Sequence, residues 1–235
     1  MAVLSREAFD ALEFDAACTG DHQSAALEMT RLADTATRSD SMARSEAYIR
    51  AGEEWLLADD PRAAAHAFER AIADGGPAST DPRVPLARAM FLLGRTDQAE
   101  SLIGELAAQP PTDPRICDQV AELLVERSEL AKALVWATAG VDLCLGGRPP
   151  AVAAGQAGQA GQEQAATGRA APGPGSDAGT GPGGEENEPR LTLPEGGDRT
   201  ELRLLLTLRY RIRNDLGLPE DRYDRLLDQL PSGAG

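Results

Sequence analysis

The chain has 235 residues, enough for one or two domains, and its hydrophobic fraction of 42% includes only 4% aromatic residues. A formal net charge of −15 disfavours binding to the phosphates of nucleic acids and favours a basic or neutral peptide as partner. No run approaches the roughly 20 apolar residues that cross a bilayer, so we expect no membrane partner.

The cysteines and the first residues predict the compartment. Cys18, Cys117 and Cys144 lie far apart and form no C-x-x-C pair, which predicts reduced thiols rather than a zinc site. The opening "MAVLSREAFD" reaches charged residues within six positions, so it lacks the apolar core of a signal peptide. We therefore expect a cytoplasmic protein, and a single lysine among 23 basic residues suggests a bacterial genome of high G+C content.

Apolar residues recur three and four positions apart from residue 5 to about 144, which indicates helices throughout. Asp60-Pro61, Asp81-Pro82 and Asp113-Pro114 each join an N-cap acceptor to a proline suited to the first helical position. Short loops between the helices predict antiparallel neighbours. The predicted helices span 5–17, 22–37, 41–58, 61–74, 83–93, 96–108, 114–127 and 129–143.

The composition changes after this helical domain, which we place at 1–145. Residues 146–198 hold 14 of the 24 glycines and no Phe, Trp, Tyr, Ile or Met, so they predict a disordered linker rich in Gly, Ala, Pro and Gln. Residues 199–235 predict a C-terminal helical hairpin, because leucines recur at helical spacing on both sides of Gly217 and Pro219.

A pattern of small and bulky residues repeats along the helical domain. Its leading alanines are Ala25, Ala64, Ala99 and Ala133, which are separated by 39, 35 and 34 residues. Each is followed four positions later by a residue that is usually bulkier, and three later by an apolar or small one. A period in this range indicates stacked helical repeats.

The second unit resembles the tetratricopeptide repeat, a helix–turn–helix of about 34 residues. The residues that carry this resemblance are Tyr48, Ala51-Gly52, Trp55, Ala64, Phe68 and Ala71. The other units depart from the pattern, with Glu13 at a small position and Arg83 at an aromatic one. The resemblance covers about residues 6–143 and implies an all-α, right-handed solenoid of about four helical hairpins.

Repeat packing explains the small and aromatic positions. Gly52 and Ala64 allow the two helices of a hairpin to pack backbone to backbone, while Tyr48, Trp55 and Phe68 fill the space between hairpins. The predicted packing residues are Tyr48, Gly52, Trp55, Ala64, Phe68, Ala71, Ala99 and Ala133.

Motifs of known enzymes are missing from the sequence. His22 and His66 stand 44 residues apart, and we expect a turn residue and a solvated side chain. The stretch 179–184 satisfies G-x-G-x-x-G but neither follows a strand nor opens a helix. We predict no catalytic residue, cofactor or metal, and hence a non-enzymatic protein.

The resemblance implies that the first helix of each hairpin lines a concave groove. The groove positions it implies are Glu46, Ile49, Glu53, Leu56, Arg88, Phe91, Arg115, Asp118 and Glu122, together with Glu7, Asp10, Phe14, Asp81, Val84 and Val125. This set is acidic and partly apolar, so we expect a scaffold that binds a basic or amphipathic protein or peptide.

Two further interpretations concern the C-terminal segment and the ends of the solenoid. The helix near 199–216 carries Arg203, Arg209, Arg211 and Arg213. The segment 199–230 could cap the helix at 129–143, enter the acidic groove or stand alone. Entry into the groove would make the protein a regulatory or sensor module that its own tail inhibits. An alanine-rich solenoid could also pair end to end, giving a structural role in self-assembly.

Overall fold

The computed structural model describes residues 4–35, 41–109, 111–147 and 199–230. All regular secondary structure in these ranges is helical. The helices are α1 (Arg6–Thr19), α2 (His22–Thr35), α3 (Arg44–Leu57), α4 (Pro61–Asp74), α5 (Arg83–Leu92), α6 (Thr96–Ala108), α7 (Pro114–Glu126), α8 (Leu130–Cys144), α9 (Arg199–Asp215) and α10 (Arg222–Gln229). Most of the predicted linker, residues 148–198, lies outside the described residues.

The chain divides into two compact units, Met1–Pro111 (unit 1) and Thr112–Gly235 (unit 2). The predicted domain boundaries at 145 and 198 stay a prediction.

Local capping sets several helix starts. Ala63 donates its backbone N–H to Asp60 at 2.9 Å ahead of Pro61, and Arg115 donates its own to Asp113 at 3.0 Å ahead of Pro114. At the Asp81-Pro82 pair, α5 begins at residue 83 as predicted, but Pro82 is its N-cap and not its first helical residue. Here the Asp81 carboxylate accepts the Arg83 N–H at 3.0 Å and also binds the Arg83 guanidinium. Arg83, which stands at an aromatic position of the repeat pattern, therefore stabilises the start of α5 through its contacts with Asp81.

Unit 1 is built from three antiparallel hairpins, α1–α2, α3–α4 and α5–α6. Each helix packs against the next one along the chain, and α3 also contacts α1 and α5. The first helices of the three hairpins are therefore neighbours.

The packing at Gly52 differs in its cause from the prediction. A Cβ at Gly52 would lie 2.4 Å from the Phe68 ring, so an aromatic ring of α4 covers this glycine, and backbone-to-backbone packing does not account for it. Phe68 itself is fully buried.

Tyr48 and Trp55 face the preceding hairpin. The Tyr48 hydroxyl donates to Asp34 at 2.8 Å, and the Trp55 Nε1–H donates to Thr30 at 3.4 Å, both on α2. The alanines predicted to pack within the repeats are all buried, namely Ala64, Ala71, Ala99 and Ala133.

In unit 2, α9 packs on α8 and touches α7, while α10 packs on α9. The C-terminal hairpin thus contacts the helix at 129–143. A continuous apolar cluster joins them, formed by Val141, Leu202, Leu205, Leu206, Tyr223, Leu226 and Leu230. Gly140 allows the close approach, because a Cβ there would lie 2.7 Å from Leu205. The Tyr223 hydroxyl donates to Asp142 at 2.5 Å.

Two arginines of α9 are held inside this hairpin. Arg209 is 4% exposed and donates to Asp221 at 2.5 Å, and Arg213 donates to Asp224 at 3.1 Å. Arg209 also reaches Thr138 on α8 at 3.0 Å. Because these guanidiniums bind Asp224 of α10 and its N-cap residue Asp221, they tie the two helices of the hairpin together.

Candidate peptide-binding surface

The first helices of unit 1 present one set of accessible side chains, which we call the inner surface. It comprises Phe14 on α1, Glu46, Glu53 and Leu56 on α3, and Arg88 on α5. Glu53 is exposed, while Glu46, Leu56 and Arg88 are half-buried. Three of the predicted groove residues, Ile49, Val84 and Phe91, are buried at 1%, 5% and 8% exposure, so they contribute little to this surface.

Arg50, which no sequence pattern predicted as a site residue, joins α3 to α1. Its guanidinium donates to Asp10 at 2.6 Å and to Glu13 at 2.5 Å. Although burial opposes the charge, these hydrogen bonds raise the pKa of Arg50 above its ordinary value. Glu13 therefore departs from the repeat pattern because it binds an arginine of the next hairpin.

His22 also makes a contact that its position as a loop residue did not predict. It is the first residue of α2, and its Nδ1 lies 2.8 Å from Oε2 of Glu54 on α3. Glu54 is 5% exposed, so the imidazole satisfies a carboxylate that water barely reaches. His66, by contrast, is exposed as expected.

Glu53 is the most perturbed group of the inner surface. Desolvation, followed by the repulsion of Glu13 and Glu46, raises the pKa of Glu53 to about 7. Arg50 lowers this pKa only in part, because its guanidinium is already bound to Asp10 and Glu13. A nearby cation would favour the ionised form of this carboxylate and lower its pKa.

This raised pKa predicts how stability depends on pH. In the folded chain Glu53 holds its proton more tightly than its ordinary pKa of 4.5 allows, so stability falls as pH rises from about 4.5 to about 7. At pH 8 we expect Glu53→Gln to unfold at a higher urea concentration than the wild type. The expected gain in the free energy of unfolding is about 1 kcal/mol, because exposure screens the effect. At pH 5 the two proteins should be nearly equal. The exposed Glu69→Gln on α4 is the control, and a pH-independent difference for Glu53→Gln would contradict this assignment.

The predicted groove residues of unit 2 form a separate set on α7. The exposed Arg115 binds Asp113 at 2.7 Å, just before the helix. Asp118 is half-buried, and burial, followed by the charges of Glu122 and Glu201, raises the pKa of Asp118 to about 6. Because Glu201 belongs to α9, the C-terminal hairpin contributes to this acidic surface.

Within the described ranges, no group of three or more His, Cys, Asp or Glu residues could hold a metal ion. None of the described helices is both long and apolar enough to span a bilayer.

A family model described as tetratricopeptide repeat matches residues 56–117, from the end of α3 into α7. This match, which covers about a quarter of the chain, supports a tetratricopeptide-repeat protein. A search of curated proteins and a search of solved structures found no match. Tetratricopeptide repeats generally mediate protein–protein interaction and are typically non-enzymatic, which fits the helical hairpins described above. The sequence prediction of the family and of an all-helical repeat fold is therefore confirmed.

Proposed function

We propose that this tetratricopeptide-repeat protein is a non-enzymatic scaffold that binds a basic, amphipathic protein or peptide on the inner surface of unit 1. The proposal rests on one observation above all: Glu53 is solvent-exposed on α3, yet desolvation, followed by the repulsion of Glu13 and Glu46, raises its pKa to about 7. A guanidinium or ammonium group of a partner would relieve this repulsion.

Apolar groups beside the carboxylates suit an amphipathic ligand. Phe14 on α1 is 73% exposed, so its aromatic ring contributes little to packing within the chain. Leu56 is half-buried on α3. A partner that places a leucine near Phe14 and an arginine near Glu53 would bury apolar area and form an ion pair at the same time.

The alternative, inhibition by the chain's own basic tail, has less support. It requires the arginines of α9 to occupy an acidic groove. Arg209 and Arg213 instead bind Asp221 and Asp224 within their own hairpin. A cytoplasmic location and the absence of nucleic-acid and membrane partners stay predictions from composition.

A defined peptide tests the proposal. A fluorescent 11-residue peptide of leucine and arginine on a neutral background should bind the full chain, as measured by anisotropy. Glu46→Gln combined with Glu53→Gln should weaken this binding about five- to tenfold, because each exposed charge pair contributes about 0.2–1 kcal/mol. The effect should shrink in high salt.

A matched variant separates a site from general charge attraction. Glu69→Gln with Glu100→Gln removes the same charge from exposed positions on the second helices α4 and α6. We expect this pair to change the affinity less than twofold. Equal losses in both pairs would mean that net charge alone attracts the peptide, and the proposed surface would be wrong.

A further inference from the structure

Three accessible residues of unit 1 occupy the same position in successive repeats. Phe14, Glu53 and Arg88 are separated by 39 and 35 residues. Ala25, Ala64 and Ala99 of the second helices show the same two separations, and all three are buried. Since the buried alanines fix the register of each hairpin, residues at equal offsets from them take equivalent places.

The contacts between helices set the order of this row. α3 contacts both α1 and α5, so Glu53 stands between Phe14 and Arg88. Each residue has a different chemistry: an exposed aromatic ring, a carboxylate and a guanidinium. The residues one position earlier are Glu13, Gly52 and Ala87. Gly52 and Ala87 are buried and Glu13 binds Arg50, so these residues point into the protein. The row therefore marks the edge of the inner surface.

We propose that this row selects an extended segment whose side chains are apolar, basic and acidic in that order, three residues apart. Axes of packed helices lie 8–10 Å apart. Three residues of an extended chain cover about 10 Å, at 3.3 Å per residue. One side chain in three can therefore meet one helix in turn. This inference rests on the proposed function and names the ligand that the same surface would take.

Each contact of the row has a defined partner. An apolar side chain covers the ring of Phe14, an arginine pairs with Glu53, and a carboxylate pairs with Arg88. The repulsion that Glu53 feels from Glu13 and Glu46 makes the central, basic position the most demanding one. A ligand with a carboxylate at the centre would meet a like charge, which costs binding free energy.

Peptides of identical composition test the order. One fluorescent 11-residue pair carries Leu-x-x-Arg-x-x-Glu and its reverse, because the row does not fix the chain direction. A second pair exchanges Arg and Glu. We expect the full chain to bind the better peptide of the first pair at least fivefold more tightly than either peptide of the second.

Charge exchange on the protein should reverse this preference. The double variant Glu53→Arg with Arg88→Glu should prefer the second pair of peptides by a similar factor. The control Glu69→Arg with Arg95→Glu exchanges exposed charges away from the row and should keep the original preference. Phe14→Ser, at an exposed position, should weaken binding of the leucine peptide about threefold and leave a peptide with serine in that place unaffected.

The outcomes separate this inference from the proposed function. If all four peptides bind equally and charge exchange changes nothing, the ordered row is wrong, while binding on the inner surface stands. If no peptide binds the full chain, and the Glu46 and Glu53 substitutions therefore change nothing, both the ordered row and the proposed function are wrong. A reversal that also follows the Glu69 and Arg95 exchange would overturn the row by assigning the effect to overall charge.

Discussion

Replacing Phe68 by alanine is expected to lower the free energy of unfolding of unit 1 by about 3–5 kcal/mol, the cost of deleting a fully buried aromatic side chain. Phe68 has no exposed surface, and its ring lies against the backbone of Gly52. The loss should appear as faster amide hydrogen exchange in both α3 and α4, because the ring joins these helices.

A double-mutant cycle shows whether the ring explains the glycine. Gly52→Ala alone places a Cβ 2.4 Å from the ring, so overpacking should cost about 1–3 kcal/mol. In the Phe68→Ala background the same change should be neutral or stabilise by up to about 1 kcal/mol, as in an ordinary helix interior.

Gly104→Ala on α6 is the control for this cycle. Nothing lies within 4 Å of a Cβ at Gly104, so this change should stabilise the helix by about 0.5–1 kcal/mol. If Gly52→Ala costs the same in both backgrounds, the contact with Phe68 is not the reason for the glycine.

Replacing Leu205 by alanine is expected to lower the free energy of unfolding of unit 2 by about 2–5 kcal/mol. Leu205 is fully buried at the centre of the cluster that joins α9 and α10 to α8. Because it covers Gly140, its loss opens a cavity between α8 and α9. Limited proteolysis should then cut within 199–230 faster than in the wild type.

Leu204→Ala is the matched control, since Leu204 is the neighbour of Leu205 on the same helix and is 54% exposed. We expect this substitution to change the free energy of unfolding by less than about 0.5 kcal/mol. Equal destabilisation and equal proteolysis by the two variants would show that the hairpin does not depend on the apolar contact with α8.

Local features explain which parts of the fold could be predicted. Helical periodicity depends on residues three and four positions apart, and caps such as Asp60-Pro61 and Asp113-Pro114 act within one turn. Family and repeat period were therefore readable from the chain. At Asp81-Pro82 the same local pattern placed the proline one residue too far into α5, because Pro82 is the N-cap of a helix that begins at Arg83.

The candidate surface was harder to predict because its charges pair across hairpins. Arg50 meets Asp10 and Glu13 from 40 and 37 residues away, and no local spacing announces such a contact. Ile49 and Phe91 entered the predicted groove through the resemblance, yet neighbouring helices bury them. The unusual residue itself was the available signal: Glu13, an acidic residue at a position that repeats keep small, could have suggested a buried arginine partner.

The central claim is that the accessible side chains of α1, α3 and α5 bind the partner, and backbone amide chemical shifts of the full chain test it most directly. Titration with the Leu-x-x-Arg-x-x-Glu peptide should shift amides around Phe14, Glu53 and Arg88 first and most strongly. Shifts confined to the second helices α2, α4 and α6, or to unit 2, would contradict the claim.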